Sequence, residues 1–242
     1  MFRFPIVAVA LLSAPALADE PRPKGDTADL AKVVAQIVEK TNDFRKAEKR
    51  EPVKVSHELF LTAEYFAKFM AETGKYGHEA DGAKPGERAK KHGYEYCVVL
   101  ENIATIYHPD GFTTEALAAA LVKGWQDSPP HRRSMLDPDV VETGVAVARS
   151  KETGYYYGVQ MFGRPKSMTV EFKITNRSDA KLEYTIGEDK YTLDPRYTQT
   201  HTRCRSGEVT FQAPKGLESV KAGAGDKFAV TGTGGSYQIK KE

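Results

Sequence analysis

The sequence has little of several features that would assign it to a common functional class. Its 242 residues include only two cysteines and one tryptophan. Lysine and arginine number 35 against 33 aspartates and glutamates, so the formal charge is +2 and the basic excess typical of a nucleic-acid binder is missing. We therefore predict no nucleic-acid partner. With 40% hydrophobic residues, the chain can bury the core of one large domain or of two small ones.

Several catalytic motifs are also missing. The sequence contains no H-E-x-x-H, no C-x-x-C, no G-x-S-x-G and no P-loop. A hydrolase of one of these familiar types therefore has no local support in the sequence.

The amino-terminal segment has the features of an export signal. Arg3 precedes a short apolar run over residues 6–12, and the small residues at 16–18 fit a signal-peptidase site. We predict a signal peptide over residues 1–18, cleaved after Ala18, and a mature protein that is secreted or periplasmic. The apolar run is too short to span a bilayer, and no later segment is apolar enough. We therefore predict no transmembrane segment in the mature protein.

The two cysteines allow two interpretations. After export, Cys97 and Cys204 could form a disulfide that links the middle of the chain to its last third. In the chain-entropy model, a closed loop of roughly 100 residues is stabilised by about 4–5 kcal/mol. The alternative is two separate buried thiols, and the sequence leaves both open.

The first two thirds of the chain have helical periodicity followed by a hairpin pattern. Apolar residues recur at helical spacing over 27–50, 56–73 and 114–125, and a short basic helix is predicted over 87–91. Ser56 has the position of an N-cap and Gly74 that of a helix-ending glycine. Two strands joined by a turn follow, at 143–150 and 155–162. Helices followed by a hairpin predict an α+β fold for this region.

From residue 167 the period changes to two. Met168, Val170, Phe172 and Ile174 alternate with polar residues, and later segments repeat this pattern between turn signals. The pattern predicts a small antiparallel β-sandwich or barrel. We place the linker at 164–166, so the predicted organisation is a signal peptide over 1–18, a first domain over 27–163 and a β-domain over 167–242.

Six segments of the first region form an ordered series. Together they resemble the CAP superfamily, which includes cysteine-rich secretory proteins, insect antigen 5 and plant pathogenesis-related proteins, and its bacterial SCP-like branch most of all. The likeness covers roughly residues 30–163 and implies an α-β-α sandwich around an antiparallel sheet. The segments are NDFR (42–45), YGH (76–78), ENIA (101–104), WQDSPPHRRSML (125–136), GVAVA (144–148) and YYYGVQMFG (155–163).

The resemblance also implies a surface cleft with two histidines and acidic partners. Carried over by motif, these are His78, His131 and Glu101. Ser128 stands where many eukaryotic members have a second glutamate, and Glu142 is another candidate acidic neighbour.

The residues before His131 predict how its backbone is held. Proline fixes φ near −65° and lacks an N–H, so it suits the first turn of a helix. Ser128 is the candidate cap of that turn, and His131 would lie within it. The family usually has glycine where this chain has Pro130, so the approach to His131 is expected to differ here.

The cleft residues allow a metal site or a polar cluster. His78, His131 and Glu101 suit Zn²⁺ or another divalent cation with one open position. The alternative is a hydrogen-bonded cluster without metal. In a metal-dependent hydrolase, for example of the peptidase type, Glu101 would be a ligand or the catalytic general base.

Our leading functional interpretation is a binding module for a lipid, a cell-surface component or a protein ligand. The hydrolase is the alternative, and a purely structural envelope protein whose β-domain docks onto a partner is a third. The sequence does not decide whether the chain is an enzyme.

The remaining polar residues have structural interpretations. Asn42 and Arg45 are expected to tie the first helix to the sheet through hydrogen bonds and an ion pair, and Asn102 is expected to have a structural role. The run ERAKK (87–91) is predicted to be a solvated helix face. The histidines outside the motifs are interpreted as surface or hydrogen-bonded residues: His57, His92, His108 and His201.

Overall fold

The computed structural model describes residues 27–205 and 207–242, so the predicted signal peptide lies outside the described residues. Five helices form in the first region, and each predicted helix is present. Within the described ranges, none of the helices is both long and apolar enough to cross a membrane. The helices are α1 (Leu30–Ala47), α2 (His57–Thr73), α3 (Pro85–Lys91), α4 (Thr114–Asp127) and α5 (Pro129–Leu136).

The ends of α2 follow the predicted capping chemistry. The Ser56 side chain accepts a hydrogen bond from the Leu59 amide at 3.3 Å, which satisfies one of the free N–H groups of the first turn. Gly74 ends the helix with φ of 67°, a left-handed conformation that favours glycine.

One four-stranded sheet runs through the first region, with the strand order β1-β3-β4-β2. The predicted hairpin is confirmed as β3 and β4, whereas the long strand β2 has no counterpart among the sequence predictions. Both faces of β2 are covered by helices, so its side chains do not alternate cleanly between apolar and polar. The strands are β1 (Lys54–Val55), β2 (Tyr96–Ile106), β3 (Glu142–Arg149) and β4 (Tyr156–Pro165).

Helices cover both faces of this sheet, which gives the α-β-α sandwich. On one face, α1, α4 and α5 pack through a core that contains Trp125 and Val98. On the other face, α2 and α3 pack through Phe66 and Ile103. A Cβ atom at Gly144 would lie 2.1 Å from the Leu59 backbone, so glycine allows α2 to pack directly on β3.

The β-domain, residues 167–242, contains two more four-stranded sheets with the orders β10-β9-β6-β7 and β12-β11-β5-β8. Their facing side chains share one core, as the alternating pattern predicts. The predicted sandwich is therefore present, although β5 and β11 pair in parallel. The strands are β5 (Val170–Asn176), β6 (Leu182–Ile186), β7 (Asp189–Leu193), β8 (Thr198–Arg203), β9 (Gly207–Ala213), β10 (Val220–Ala222), β11 (Lys227–Thr233) and β12 (Ser236–Lys241).

One residue of the alternating pattern departs from the prediction. Met168 lies in a 3-10 turn (Lys166–Met168) before β5 and is 41% exposed, whereas Val170 and Phe172 are buried. The alternating pattern began two residues before the strand does, because the chain turns at the linker and β5 starts at Val170.

The two cysteines form a disulfide, so the first of the two interpretations holds. Cys97 on β2 is bonded to Cys204, which follows β8, across a sequence separation of 107. Cys204 also packs against the apolar core of the first region. The disulfide therefore attaches the β-domain to the strand that carries Glu101.

Candidate functional site

The first half of the candidate cleft is the contact between His78 and Glu101. His78 lies in the loop after α2, and its Nδ1 is 2.8 Å from Oε1 of Glu101 on β2. The Glu101 side chain is 1% exposed and the His78 side chain 49%. A buried carboxylate therefore holds an imidazole that faces solvent.

Arg88 on α3 supports the same carboxylate from inside. Its Nη2 lies 2.9 Å from Oε2 of Glu101, and its Nη1 donates to Asp81 and to the Ala83 carbonyl. The guanidinium also stacks over the ring of Phe66, with its carbon 3.5 Å from the ring centre. The prediction that residues 87–91 form a solvated face is wrong for Arg88, whose side chain is 1% exposed. An arginine in a basic run gives no signal for burial, because its partners come from elsewhere in the chain.

The Glu101 contact sets the protonation of His78. The hydrogen bond to Glu101 raises the pKa of His78 above its ordinary value, against the opposing effect of partial burial. The carboxylate accepts a hydrogen bond from Nδ1–H, so Nε2 is left as the ring nitrogen available to a ligand.

The second half of the cleft is the start of α5. Pro129 and Pro130 occupy the first two helical positions, and Ser128 is the N-cap with φ of −92° and ψ of 115°. His131 therefore lies in the first turn, as the sequence predicts. The Ser128 side chain makes no capping hydrogen bond, although its carbonyl accepts from the Arg132 amide at 2.8 Å. Proline at position 130 fits the helical backbone, so the turn forms without the family's usual glycine.

His131 approaches β2 from the opposite side of the sheet. The amide nitrogen of Asn102, on β2, donates to the His131 carbonyl at 3.2 Å and to Gln160 at 3.3 Å. Burial lowers the pKa of His131, and the neighbouring His78 lowers it further. Both histidines thus lie near the edge strand β2, and their pKa values are displaced in opposite directions.

Glu142 lies apart from this group. It begins β3, two strands from β2 in the sheet order, and its carboxylate accepts a 2.6 Å hydrogen bond from the Tyr94 hydroxyl. Burial and the Glu142 charge raise the pKa of Tyr94. The structure therefore brings His78, Glu101 and His131 together around β2 and places Glu142 in a separate contact.

The three predicted metal ligands do not fit a zinc site in this arrangement. Both carboxylate oxygens of Glu101 are engaged, one by His78 and the other by Arg88. Across residues 27–205 and 207–242, no group of three or more His, Cys, Asp or Glu side chains is placed to hold a metal ion. Glu101 instead has the role of a partner that orients His78.

Asn42 and Arg45 have structural roles, as predicted, but they bond backbone groups outside the sheet strands, and the contacts found for Arg45 are hydrogen bonds to carbonyls where an ion pair was expected. The Asn42 side chain bonds both backbone groups of Val53, at 2.9 and 3.0 Å. The Arg45 guanidinium donates to backbone carbonyls, including Met135 at 2.6 Å and Glu51 at 2.7 Å. Arg45 therefore fastens α1 to the end of α5.

An α-β-α sandwich with paired histidines at its edge strand defines the class of protein to which this chain belongs. The model of the CAP family, described as the cysteine-rich secretory protein family, matches residues 38–162, more than half of the chain. The chain belongs to this family, in agreement with the motifs of its sequence.

Individual relatives agree with this assignment. The chain is 25% identical over 130 residues to the uncharacterized protein YkwD of Bacillus subtilis strain 168, a match that covers 53% of this chain and 46% of that protein. The chain thus spans about half the length of this relative.

The chain is also similar to solved protein structures. An outer surface protein from Borrelia burgdorferi aligns with a TM-score of 0.51 and 18% identity, over 59% of this chain and 99% of that one, and shares the fold. An extracellular protein with an SCP domain from Bacillus anthracis aligns with a TM-score of 0.46 and 24% identity, over 56% of this chain and 41% of that one.

Proposed function

We propose that this chain is an exported binding protein whose ligand site is the cleft between His78 and His131. The observation that carries the proposal is the half-exposed imidazole of His78, held from below by the buried carboxylate of Glu101. The ligand would be a lipid, a cell-surface component or a protein, and its contact with the cleft would be a polar group.

The buried charges beneath His78 support this proposal. The side chains of Asp81, Arg88 and Glu101 are 3%, 1% and 1% exposed. Such clusters give little net stability, because the desolvation of each charge offsets most of the attraction between them. Orienting a surface imidazole is a function that an apolar core at the same place could not perform.

The chemistry of the two rings indicates what the cleft can bind. Above its raised pKa, His78 is neutral and its Nε2 accepts a hydrogen bond from a hydroxyl, amide or ammonium group. Below that pKa the ring is cationic and favours an acidic group. His131 remains neutral to lower pH, because burial lowers its pKa.

Export is supported by the predicted signal peptide and by the Cys97–Cys204 disulfide, which is typical of oxidising compartments. The name of the Borrelia burgdorferi relative, an outer surface protein, points the same way. Mass spectrometry of the protein recovered outside the cytoplasm should find Asp19 as its first residue. An intact amino terminus in that fraction would contradict this cleavage.

The cleft can be tested by NMR with isotope-labelled histidine rings. Mature protein is screened against small hydroxyl-, amide- and carboxylate-bearing fragments. Fragments that bind should shift the ring signals of His78 and His131 and leave exposed His57 unchanged. His78→Ala should abolish binding, whereas the control His57→Ala should keep it. Fragments that shift only other residues, or that still bind His78→Ala, would contradict the proposal.

The metal-dependent hydrolase is the weaker alternative, because each Glu101 oxygen already has a partner and no group of three potential metal ligands is found among the described residues. Calorimetric titration of zinc into the wild-type protein, His78→Ala and His131→Ala separates the two. One-to-one binding lost in both variants would revive the metal site, and a hydrolase assay would follow. If none of the three folded proteins binds zinc, the metal-dependent hydrolase is excluded and the binding protein remains the proposed function.

A further inference from the structure

A short segment of the β-domain contacts both elements that form the cleft. Cys204 is bonded to Cys97, on the strand that carries Glu101. The next residue, Arg205, places its Nη1 2.9 Å from both carboxylate oxygens of Asp137 and 2.8 Å from Asp139. Asp137 is the C-cap of α5, the helix that carries His131.

The far end of α5 is held more firmly than the end at the cleft. At the cleft, Asn102 binds the His131 carbonyl, but the His131 Nδ1 and the Asn102 Oδ1 are buried without a hydrogen-bond partner in the described part of the chain. At the far end, Arg45 binds the carbonyls of Met135 and Asp137, and Met135 is fully buried. The position of His131 therefore depends on contacts made at the other end of its helix.

The negative charges at the C-terminal end of α5 make the stability of that end dependent on Arg205. Asp137 and Asp139 are close together, and each side chain is only 15% exposed. They also lie at the C-terminal end of α5, where the helix dipole is negative and disfavours carboxylates. Arg205 is the cation that contacts both carboxylates, and the charge of Arg45 acts only on Asp137. Removal of Arg205 would therefore leave the two carboxylates repelling each other with only part of their charge balanced.

We propose that Arg205 is a positioning residue: the β-domain uses it to hold α5, and with it His131, against β2. This inference deepens the proposed function, because the position of His131 matters for ligand binding only if the cleft binds a ligand. It also gives the β-domain a role in the cleft without contact to the ligand.

Hydrogen exchange of the α5 amides tests the proposal on the full mature chain with its disulfide intact. Arg205→Ala should increase exchange over residues 132–136 about tenfold, since the helix would open more often. Arg205→Lys keeps a cation there and should restore part of the protection.

Arg203→Ala is the matched control. Arg203 lies two residues away and pairs with Asp189 inside the β-domain, at 2.9 Å. It should leave exchange in α5 unchanged. Exchange in α5 that is the same in Arg205→Ala and the wild-type protein would overturn the proposal. So would an equal increase throughout the chain, because that would report general destabilisation. The test needs no ligand, so its outcome is independent of the fragment screen.

Discussion

Among the described residues, the first region buries Arg and Glu side chains, whereas the β-domain does not. In the first region, buried Arg88 and Glu101 form a charged network that ends at the exposed ring of His78. In the described part of the β-domain, the buried polar side chains Asn176, Ser178 and His201 hydrogen-bond to groups of the same domain. The Asn176 side chain binds Ala180 and Leu193 around a turn, and His201 pairs with the Tyr184 hydroxyl at 2.9 Å.

This difference distinguishes polar side chains that form a candidate binding site from polar side chains that only stabilise the fold. A polar group that completes its hydrogen bonds within a turn or a core is accounted for by the fold. The network of the first region also leads outward to a half-exposed imidazole, which the fold does not require. The candidate cleft therefore lies in the first region, and the β-domain acts as its support.

The largest expected effect comes from breaking the charged network. Arg88→Ala leaves the buried carboxylates of Asp81 and Glu101 without their cation. Removing one partner of a buried ion pair costs about 3–5 kcal/mol. Urea unfolding should show this loss in the free energy of unfolding. An NMR titration should show a further rise in the pKa of His78, because the charge of Arg88 opposes the effect of Glu101.

The control for this comparison is Arg177→Ala in the β-domain, where Arg177 pairs with Glu242 at the surface. An exposed pair contributes about 0–1 kcal/mol, so this variant should unfold almost like the wild-type protein. Equal losses in the two variants would contradict the proposed difference between the regions.

A smaller effect should appear in the pH dependence of stability. Burial, and to a lesser degree Arg203, lowers the pKa of His201, so protonation favours the unfolded chain. The contribution of neutral His201 is present above the unfolded pKa of about 6.5 and is lost as pH falls below it. Urea unfolding between about pH 8 and 5 should show a shallower loss on acidification for His201→Phe than for the wild-type protein.

His78 should act with the opposite sign, because Glu101 raises its pKa. Its contribution is complete below the unfolded pKa and is lost as pH rises through the folded pKa. His78→Ala should therefore make the loss of stability on acidification steeper than in the wild-type protein. Identical profiles for His201→Phe and the wild-type protein would show that His201 does not contribute this pH dependence.

The smallest expected effect is a difference in unfolding free energy between alanine variants of the two N-cap serines of the first region, Ser56 and Ser128. Ser56 accepts a hydrogen bond from Leu59, whereas Ser128 makes no side-chain capping bond. Ser56→Ala should cost about 1 kcal/mol in urea unfolding, and Ser128→Ala close to nothing. A larger loss for Ser128→Ala would mean that its side chain supports α5 in a way the structure does not show.

Much of the fold could be predicted from local patterns. Helical spacing predicted α1, α2 and α4, and alternation predicted the hairpin and the β-sandwich. Strand β2 was missed because helices cover both its faces, which removes the alternation that indicates a strand. Met168 was assigned to a strand because alternation alone does not show where the chain turns.

The site was only partly predictable. The motifs indicated His78, Glu101 and His131, and the structure brings these three together around β2. Arg88 and Asp81 were missed, since neither differs in sequence from an ordinary surface charge. Glu142 was a candidate by its position before a strand, but the sheet order places it two strands from Glu101.

The sequence by itself determined the local features of this protein: helix periods, the cap at Ser56, the rigid turn before His131 and the membership of the CAP family. Only the tertiary structure decided which distant residues meet: Cys97 with Cys204, Arg88 with Glu101, and Arg205 with the end of α5. The physical reason is that backbone preferences and periodicity act over a few residues. Buried charges and disulfides need partners that only packing of the whole chain brings within reach.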